Sequence, residues 1–326
     1  MKKILICVLL LFCLTSCSKE DKKDYKKEVV DYSSNLTKYE LEAQMEVVKS
    51  EGNITFSVVV SYLEPNYYKV RLQNKSNNNI QVIVKNNDGV FVITPALNKQ
   101  FQFKSDWPLN SSHAYLLQSI IKDITNDPEV ILTTNSDTYS LKSLTNNKIN
   151  AKMKFQTATF NKKTNHLISN VISDASGNPL VSVNVTKFNP DANLKVNDFN
   201  PEVINNTIKL EMSEGELDKS VIECVPTFIP EGYVLANSLI KDTYTVFKYQ
   251  KELEFYTITV IETEVSEVLT VSREFSDVVI LDSGVGFIND NSLSFFQENL
   301  YVSIYNTAFN LEEAIDIANS FKDQEN

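Results

Sequence analysis

The 326-residue sequence is poor in the residues that build catalytic centres. It contains only two histidines and seven glycines. The paired histidine spacings of zinc sites are absent, as are the Gly-x-Ser-x-Gly nucleophile elbow and the glycine motifs that cradle phosphates. We therefore expect no enzyme, metal or cofactor. A serine–histidine–aspartate triad or a Cys224–histidine dyad, and thus an unrecognised hydrolase, stays open as an alternative.

Long apolar runs are also missing. The one candidate, Ile4–Leu14, has about eleven residues, whereas a membrane-spanning helix needs roughly 20. Lys2 and Lys3 precede it, and small residues follow. A charged start, a short apolar core and small residues before a cleavage point are typical of a secretory signal peptide.

The end of this segment, Leu14-Thr15-Ser16-Cys17, resembles the bacterial lipobox. The resemblance implies a signal peptide at residues 1–16 and a diacylglyceryl (palmitate-type) anchor on Cys17. The alternative is an ordinary secretory signal with a free or paired Cys17. Residues 17–27 are polar and read as a tether, whose extended length is at most roughly 35 Å. The expected location is the extracytoplasmic face of the cell membrane.

Cysteine is too scarce for a disulfide framework. Of the four cysteines, Cys7 and Cys13 leave with the signal peptide. If Cys17 carries lipid, Cys224 has no partner. We expect Cys224 to be a buried, inert thiol.

Positive charge is scarce in the second part of the chain. The net charge is −11 overall; residues 202–326 contain seven Lys/Arg and 23 Asp/Glu, a net of −16, whereas residues 17–201 have a net of +3. Nucleic-acid binding is excluded by phosphate repulsion. The asymmetry predicts two domains, 28–201 and 202–326. The acidic domain is most simply a solvated face; alternatively it points away from an anionic membrane, towards a basic partner.

Alternating apolar and polar residues predict a run of short strands from Ile54 to Phe188. Asn86-Asn-Asp-Gly89 predicts a hairpin turn. An amphipathic helix is expected from Glu28, passing into a strand near Glu42. A second helix is expected over Ser111–Asp123, capped by one of its first serines, with His113 at its start or on the surface.

This pattern predicts an α+β fold. Its main part is a curved antiparallel sheet, a half-barrel closed by the two helices. A smaller α+β domain follows, with strands between Tyr233 and Asn306. Asn310-Leu-Glu-Glu313 is a capping box for a last helix, Leu311–Phe321.

Three stretches carry a family resemblance: Tyr67–Leu72, Asp88–Phe101 and Ser105–Pro108. They resemble the YdcC-type lipoproteins of spore-forming Firmicutes, which are related to the germination lipoprotein GerS and have the LolA/LolB-like carrier fold. The similarity covers roughly Glu28 to Pro201. In the second domain, Phe228–Tyr233 resembles a small uncharacterised module found in these lipoproteins.

The resemblance implies a sheet of about eleven strands whose concave apolar cavity, in LolA and LolB, holds the acyl chains of lipoproteins. It also implies a role in sporulation or germination at the spore envelope, where a member supports a cortex-modifying amidase by binding it. An anchored protein can hold cargo but cannot ferry it. We therefore expect a non-catalytic protein that binds a spore-envelope partner, with lipid or acyl-chain binding as the alternative.

Several residues are candidates for the cavity or its rim. Trp107 could close the cavity mouth or be a core aromatic. Arg71 could donate to a lipid headgroup or a loop, or be a solvated strand residue. The remaining candidates are aromatic residues that could line the cavity or form ordinary sheet core: Phe56, Tyr62, Tyr68, Phe91, Phe101 and Phe103.

Overall fold

The computed structural model describes eleven stretches of the chain. They are residues 24–49, 52–95, 99–104, 107–108, 111–147, 150–212, 225–241, 243–262, 270–274, 277–297 and 300–321. The predicted signal peptide, Cys17 and Cys224 lie outside these residues. No helix within the described stretches is both long enough and apolar enough to cross a bilayer.

The larger sheet has twelve strands. Its spatial order is β15-β6-β5-β4-β3-β2-β1-β11-β10-β9-β8-β7, and only the β15–β6 pair is parallel. The strands are β1 (Lys38–Val47), β2 (Ile54–Leu63), β3 (Tyr67–Asn74), β4 (Ile80–Asn86), β5 (Gly89–Thr94), β6 (Lys99–Lys104), β7 (Ile131–Thr134), β8 (Thr138–Leu144), β9 (Phe155–Asn161), β10 (Leu167–Ser173), β11 (Pro179–Asn189) and β15 (Thr270–Glu274).

The smaller sheet has seven antiparallel strands in the order β12-β13-β14-β19-β18-β17-β16. Helix α4 (Leu311–Asn319) covers one face, and the Asn310 side chain caps it by accepting from the backbone N–H of Glu312 and Glu313. The Glu313 carboxylate, the other half of the predicted capping box, instead accepts from the Tyr256 hydroxyl. The strands are β12 (Val234–Ile240), β13 (Tyr244–Lys251), β14 (Glu254–Glu262), β16 (Asp277–Leu281), β17 (Gly284–Asn289), β18 (Ser292–Gln297) and β19 (Leu300–Asn306).

Two helices fill the concave face of the larger sheet. Helix α1 (Tyr25–Ser34) contributes Val29, which is fully buried, and Tyr25, which stacks on Tyr139 of β8 with ring centroids 4.5 Å apart. Helix α2 (Leu117–Asn126) contributes the apolar residues of its inner face. One hydrophobic cluster joins both helices to strands from nearly the whole sheet. The predicted α+β half-barrel closed by helices is confirmed.

A separate hydrophobic cluster lies on the convex face of the same sheet. A short 3-10 helix (Val196–Phe199) and helix α3 (Pro201–Met212) pack there, with Phe199 fully buried. Ile204 and Ile208 of α3 join side chains of β4 and β5. The predicted boundary between residues 201 and 202 thus falls in the first turn of a helix that packs on the larger sheet.

Three local expectations differ from the structure. Helix α1 begins at Tyr25, inside the predicted tether, because the Asp24 side chain accepts from the Lys27 N–H and caps it. Helix α2 begins at Leu117 rather than at Ser111. Neither Ser111 nor Ser112 caps it, and Ser112 instead donates to the Asp123 carboxylate at 2.5 Å.

Candidate binding surfaces

The mouth of the concave face is occupied by the smaller sheet. Alternate residues of β16, β17 and β18 point to opposite sides, one set under α4 and the other into the larger sheet. Phe287 and Phe296 pack on Phe101 of β6, with ring centroids 5.6 and 4.7 Å away. The cavity expected from the family resemblance is therefore filled here by the chain's own side chains.

Polar contacts fix the smaller sheet in this position. The buried side chain of Gln81, on β4, accepts a hydrogen bond from the Val285 N–H. Asn74 Nδ2 donates to the Asp282 carbonyl at 2.8 Å, and Lys49 forms an ion pair with the Asp282 carboxylate at 3.0 Å. The bonds from Gln81 and Asn74 link residues more than 200 positions apart, so they hold the two halves of the chain together.

A residual cleft of about 340 Å³ remains where β1, β10 and β11 meet β16 and α4. This is at the low end of the roughly 300–1,000 Å³ typical of small-molecule sites. Apolar residues line most of it, and the Lys152–Glu312 ion pair, at 2.9 Å, lies at its edge. His113 also lines the cleft.

The cavity candidates divide between the two faces of the sheet. Phe56, Tyr62, Tyr68 and Phe101 are buried in the concave cluster. Phe91 is in the convex cluster beside Phe199, so its expected place in the cavity is wrong. Strand β5 is buried on both faces, and alternation cannot distinguish one face from the other in such a strand.

The three remaining candidates are Trp107, Arg71 and Phe103. Trp107 is fully buried with its ring edge towards Tyr68, and its carbonyl accepts from Lys85 Nζ at 2.7 Å. Arg71 is half-buried on the convex side of β3 and donates to Gln73 Oε1 at 3.3 Å. Phe103 pairs with Val90 through the backbone, but its side chain lies outside what the structure describes.

His113 is not the helix-start or surface residue that was expected, because it lies buried four residues before α2 begins. His113 is only 7% exposed, beside the rings of Trp107 and Tyr115. Within the described residues, its Nε2 has no hydrogen-bond partner. His166 contacts the rings of Tyr32 and Phe188. The described residues also include no group of three His, Cys, Asp or Glu able to hold a metal. This geometry gives no support to the hydrolase alternative.

His113 predicts a pH-dependent stability. Burial lowers the pKa of His113 to about 4, from 6.5 in the unfolded chain. Between these two pH values the unfolded state binds more protons than the folded state. The contribution of the neutral, buried His113 to the free energy of unfolding is therefore complete above pH 6.5 and is lost as pH falls towards 4. Over this range the free energy of unfolding falls by about 3 kcal/mol.

Urea unfolding of the wild type at pH 7 and pH 4.5 should show this loss. His113→Gln should reduce it, since glutamine does not titrate. Asp123, whose pKa is raised by burial, acts in the opposite direction and is present in both proteins, so the difference between them isolates His113. An identical pH dependence in both proteins would contradict the assignment.

The most exposed apolar segment is the edge strand β12. Its sequence, Val234-Leu-Ala-Asn-Ser-Leu-Ile240, contains no charge, and every residue is exposed. The side chains of Val234 and Ile240 are each 66% exposed. On one side β12 pairs with β13, and within the described residues no strand pairs with its other edge. The sequence predicted this strand, but nothing local in it indicates that the strand lies at an edge.

An open, mostly antiparallel sheet curved around its own helices defines a half-barrel protein. The chain belongs to the family of YdcC-like sporulation proteins, whose family model, "Sporulation protein YdcC-like", matches residues 1–199. Sporulation protein YdcC of Bacillus subtilis (strain 168) is 26% identical over 330 residues, which cover 97% of this chain and 95% of that protein. The predicted family is confirmed.

Solved structures with similar folds are distant in sequence. One is the complex of the CwlD amidase with the GerS lipoprotein from Clostridioides difficile, at 16% identity, with coverage of 53% of this chain and 96% of that chain, and a TM-score of 0.32. Another is a putative outer membrane lipoprotein-sorting protein domain from Vibrio parahaemolyticus. It is 13% identical, the match covers 56% of this chain and 97% of that chain, and the TM-score is 0.34. A third is the MucA/MucB complex of Pseudomonas aeruginosa. It is 11% identical, the match covers 92% of this chain and 100% of that chain, and the TM-score is 0.32.

Proposed function

We propose that this protein is a non-catalytic lipoprotein, anchored at the extracytoplasmic face of the membrane, that binds a protein partner in the spore envelope. The observation that carries the proposal is strand β12, an uncharged apolar strand exposed along a sheet edge. Natural proteins usually protect such edges with charge, proline or a covering element. A strand left open in this way is suited to pairing with a strand of another protein.

The chemistry around β12 indicates the kind of partner. The strand itself would take an extended apolar segment through backbone hydrogen bonds. Residues 202–326 have a net charge of −16, which favours a partner whose binding surface is basic. The family resemblance makes a cortex-modifying amidase a candidate for this partner.

The alternative function, a carrier of acyl chains, is less favoured. Phe101, Phe287 and Phe296 fill the mouth of the concave face. The cleft that remains is about 340 Å³. Binding a diacyl lipid would require the smaller sheet to leave its position and expose its buried apolar residues to water, which costs free energy.

The lipid anchor rests on the lipobox at Leu14–Cys17. Two or more acyl chains hold a protein stably at a membrane. In fractionated sporulating cells, the wild type should sediment with membranes and Cys17→Ala should not. Equal membrane association of the two proteins would argue against the anchor.

Charge placed on β12 should abolish partner binding. The test uses Val234→Lys/Ile240→Lys, because both side chains are exposed and their replacement leaves the core intact. Leu253→Lys is the control, since Leu253 is 95% exposed at the neighbouring hairpin. The partner is identified by affinity purification with the wild type, then purified and titrated against all three proteins. We expect at least ten-fold weaker binding for the double variant and unchanged binding for the control.

Hydrogen–deuterium exchange locates the contact directly. Partner binding should slow exchange of the β12 amides, because a paired edge strand protects its free N–H groups. Slowed exchange elsewhere but not in β12, or full binding by the double variant, would refute this docking mode.

A further inference from the structure

A second cleft lies on the convex face, on the opposite side of the larger sheet from the filled cavity. It has a volume of about 820 Å³ and opens between the β4–β5 hairpin, strand β6 and the start of α3. Its lining contains two carboxylates, Asp88 and Glu202, and no lysine or arginine among the described residues. Six carboxamide side chains line it: Asn86, Asn87, Gln100, Gln102, Asn197 and Asn200.

Internal hydrogen bonds hold the walls of this cleft in place. Asn86 Nδ2 donates to the Phe199 carbonyl at 3.2 Å and ties the hairpin to the 3-10 helix. Gln102 Nε2 donates to the Asp88 carbonyl at 2.9 Å, and Asn87 Nδ2 donates to the Tyr67 hydroxyl at 2.7 Å. Gln102 and Asn87 each use an amide nitrogen in these bonds, and among the described residues nothing donates to their side-chain oxygens.

Gln100 is the least satisfied member of the set. Its side chain is only 7% exposed, and its Oε1 has no hydrogen-bond partner within the described part of the chain. A buried acceptor without a partner is energetically unfavourable. A ligand could donate to this oxygen once the Gln100 side chain turns towards the cleft, which would relieve that penalty.

The chemistry of the lining selects a class of ligand. A carboxamide both donates and accepts hydrogen bonds, so a set of them matches groups that also do both, such as sugar hydroxyls and N-acetyl groups. The Asp88 and Glu202 carboxylates, without a lysine or arginine in the described lining, oppose phosphates and other anions.

An extended peptide fits this cleft less well than a sugar does. Peptides usually bind by pairing with a free strand edge. The outer edge of β6, from Gln100 to Lys104, is already paired with β15. The cleft therefore presents side-chain amides on facing walls without a backbone edge.

We propose that this convex cleft binds an uncharged glycan chain, with its hydroxyl and N-acetyl groups hydrogen-bonded to the carboxamides and to the Asp88 carboxylate. The site is separate from strand β12, so the inference goes beyond the proposed partner binding and can fail without it. It would give the protein a second attachment, to a polysaccharide.

The test is calorimetric titration of the full mature chain in detergent with the tetramer of N-acetylglucosamine. Asp88→Ala/Asn197→Ala removes two exposed side chains from the cleft. Asn126→Ala/Asp137→Ala is the matched control, an exposed asparagine and aspartate outside the cleft. We expect the wild type and the control to bind equally, and the cleft variant to bind at least ten-fold more weakly.

Three results would overturn the proposal: no binding of the tetramer by the wild type, equal binding by both double variants, or displacement of the tetramer by a strand peptide that binds β12. Unchanged thermal unfolding of the cleft variant would show that lost binding is not lost folding. Partner binding, measured on the same samples, should be the same in all three proteins.

Discussion

Phe287→Ala is expected to destabilise the protein by about 3–5 kcal/mol, the usual cost of removing a fully buried phenylalanine ring. Phe287 is 1% exposed and contacts the rings of Phe101 and Phe296. The variant leaves a cavity at the mouth of the concave face, where the smaller sheet packs into the larger one. Urea unfolding measures the loss of stability.

Phe255→Ala is the matched control for this change. Phe255 is half-buried on β14, near Tyr305 and Lys248, away from the junction. We expect this control to lose about 1 kcal/mol, the lower range for a partly exposed side chain. If the two variants were equally mild, the packing of the smaller sheet into the concave face would be refuted.

Gly284→Ala is expected to cost about 3–4 kcal/mol. Gly284 has a φ of +136°, a backbone conformation that residues other than glycine adopt only with strain of about 1–3 kcal/mol. A Cβ there would lie 2.6 Å from Gln81 Cδ and closer still to its Oε1. Gln81 must then move, and the Val285 N–H loses its acceptor, which adds about 1–3 kcal/mol.

Gly52→Ala separates the two causes. Gly52 has a φ of +130°, but a Cβ there would meet nothing within 4 Å. It should therefore show only the backbone strain. In the double variant Gln81→Ala/Gly284→Ala the steric conflict is gone, so the combined loss should be smaller than the sum of the single losses. Equal losses for Gly284→Ala and Gly52→Ala would mean that Gln81 does not hold the sheets together.

Sequence patterns predicted the local structure well where one face of a strand is buried. In β3, Tyr68, Val70 and Leu72 alternate with polar residues and lie in the concave cluster. The Asn86–Gly89 turn also forms as predicted, because asparagine, aspartate and glycine tolerate the backbone of a tight hairpin. These features depend on neighbouring residues, which a sequence displays directly.

Features that depend on distant residues were not predictable in this way. Strand β15 is short and pairs with β6, about 170 positions earlier. The filling of the concave face depends on Phe287, whose partner Phe101 is equally remote. The sequence pattern of such aromatic residues is the same whether they line a cavity or form a packed core. The sequence therefore singled out four aromatic residues that lie in the concave cluster, but also Phe91 on the opposite face, and it did not indicate the side chains that occupy the cavity.

The parallel pairing of β15 with β6 has a consequence for the order of folding. Strand β6 lies in the first third of the chain, whereas its neighbour, Thr270–Glu274, follows more than 160 residues later. As the chain is synthesised from its N-terminus, this edge of the sheet stays unpaired until the late segment arrives. Non-local pairing of this kind is slow and leaves an aggregation-prone edge in the meantime. A chain truncated after α3 should therefore depend more on chaperones than the full chain does.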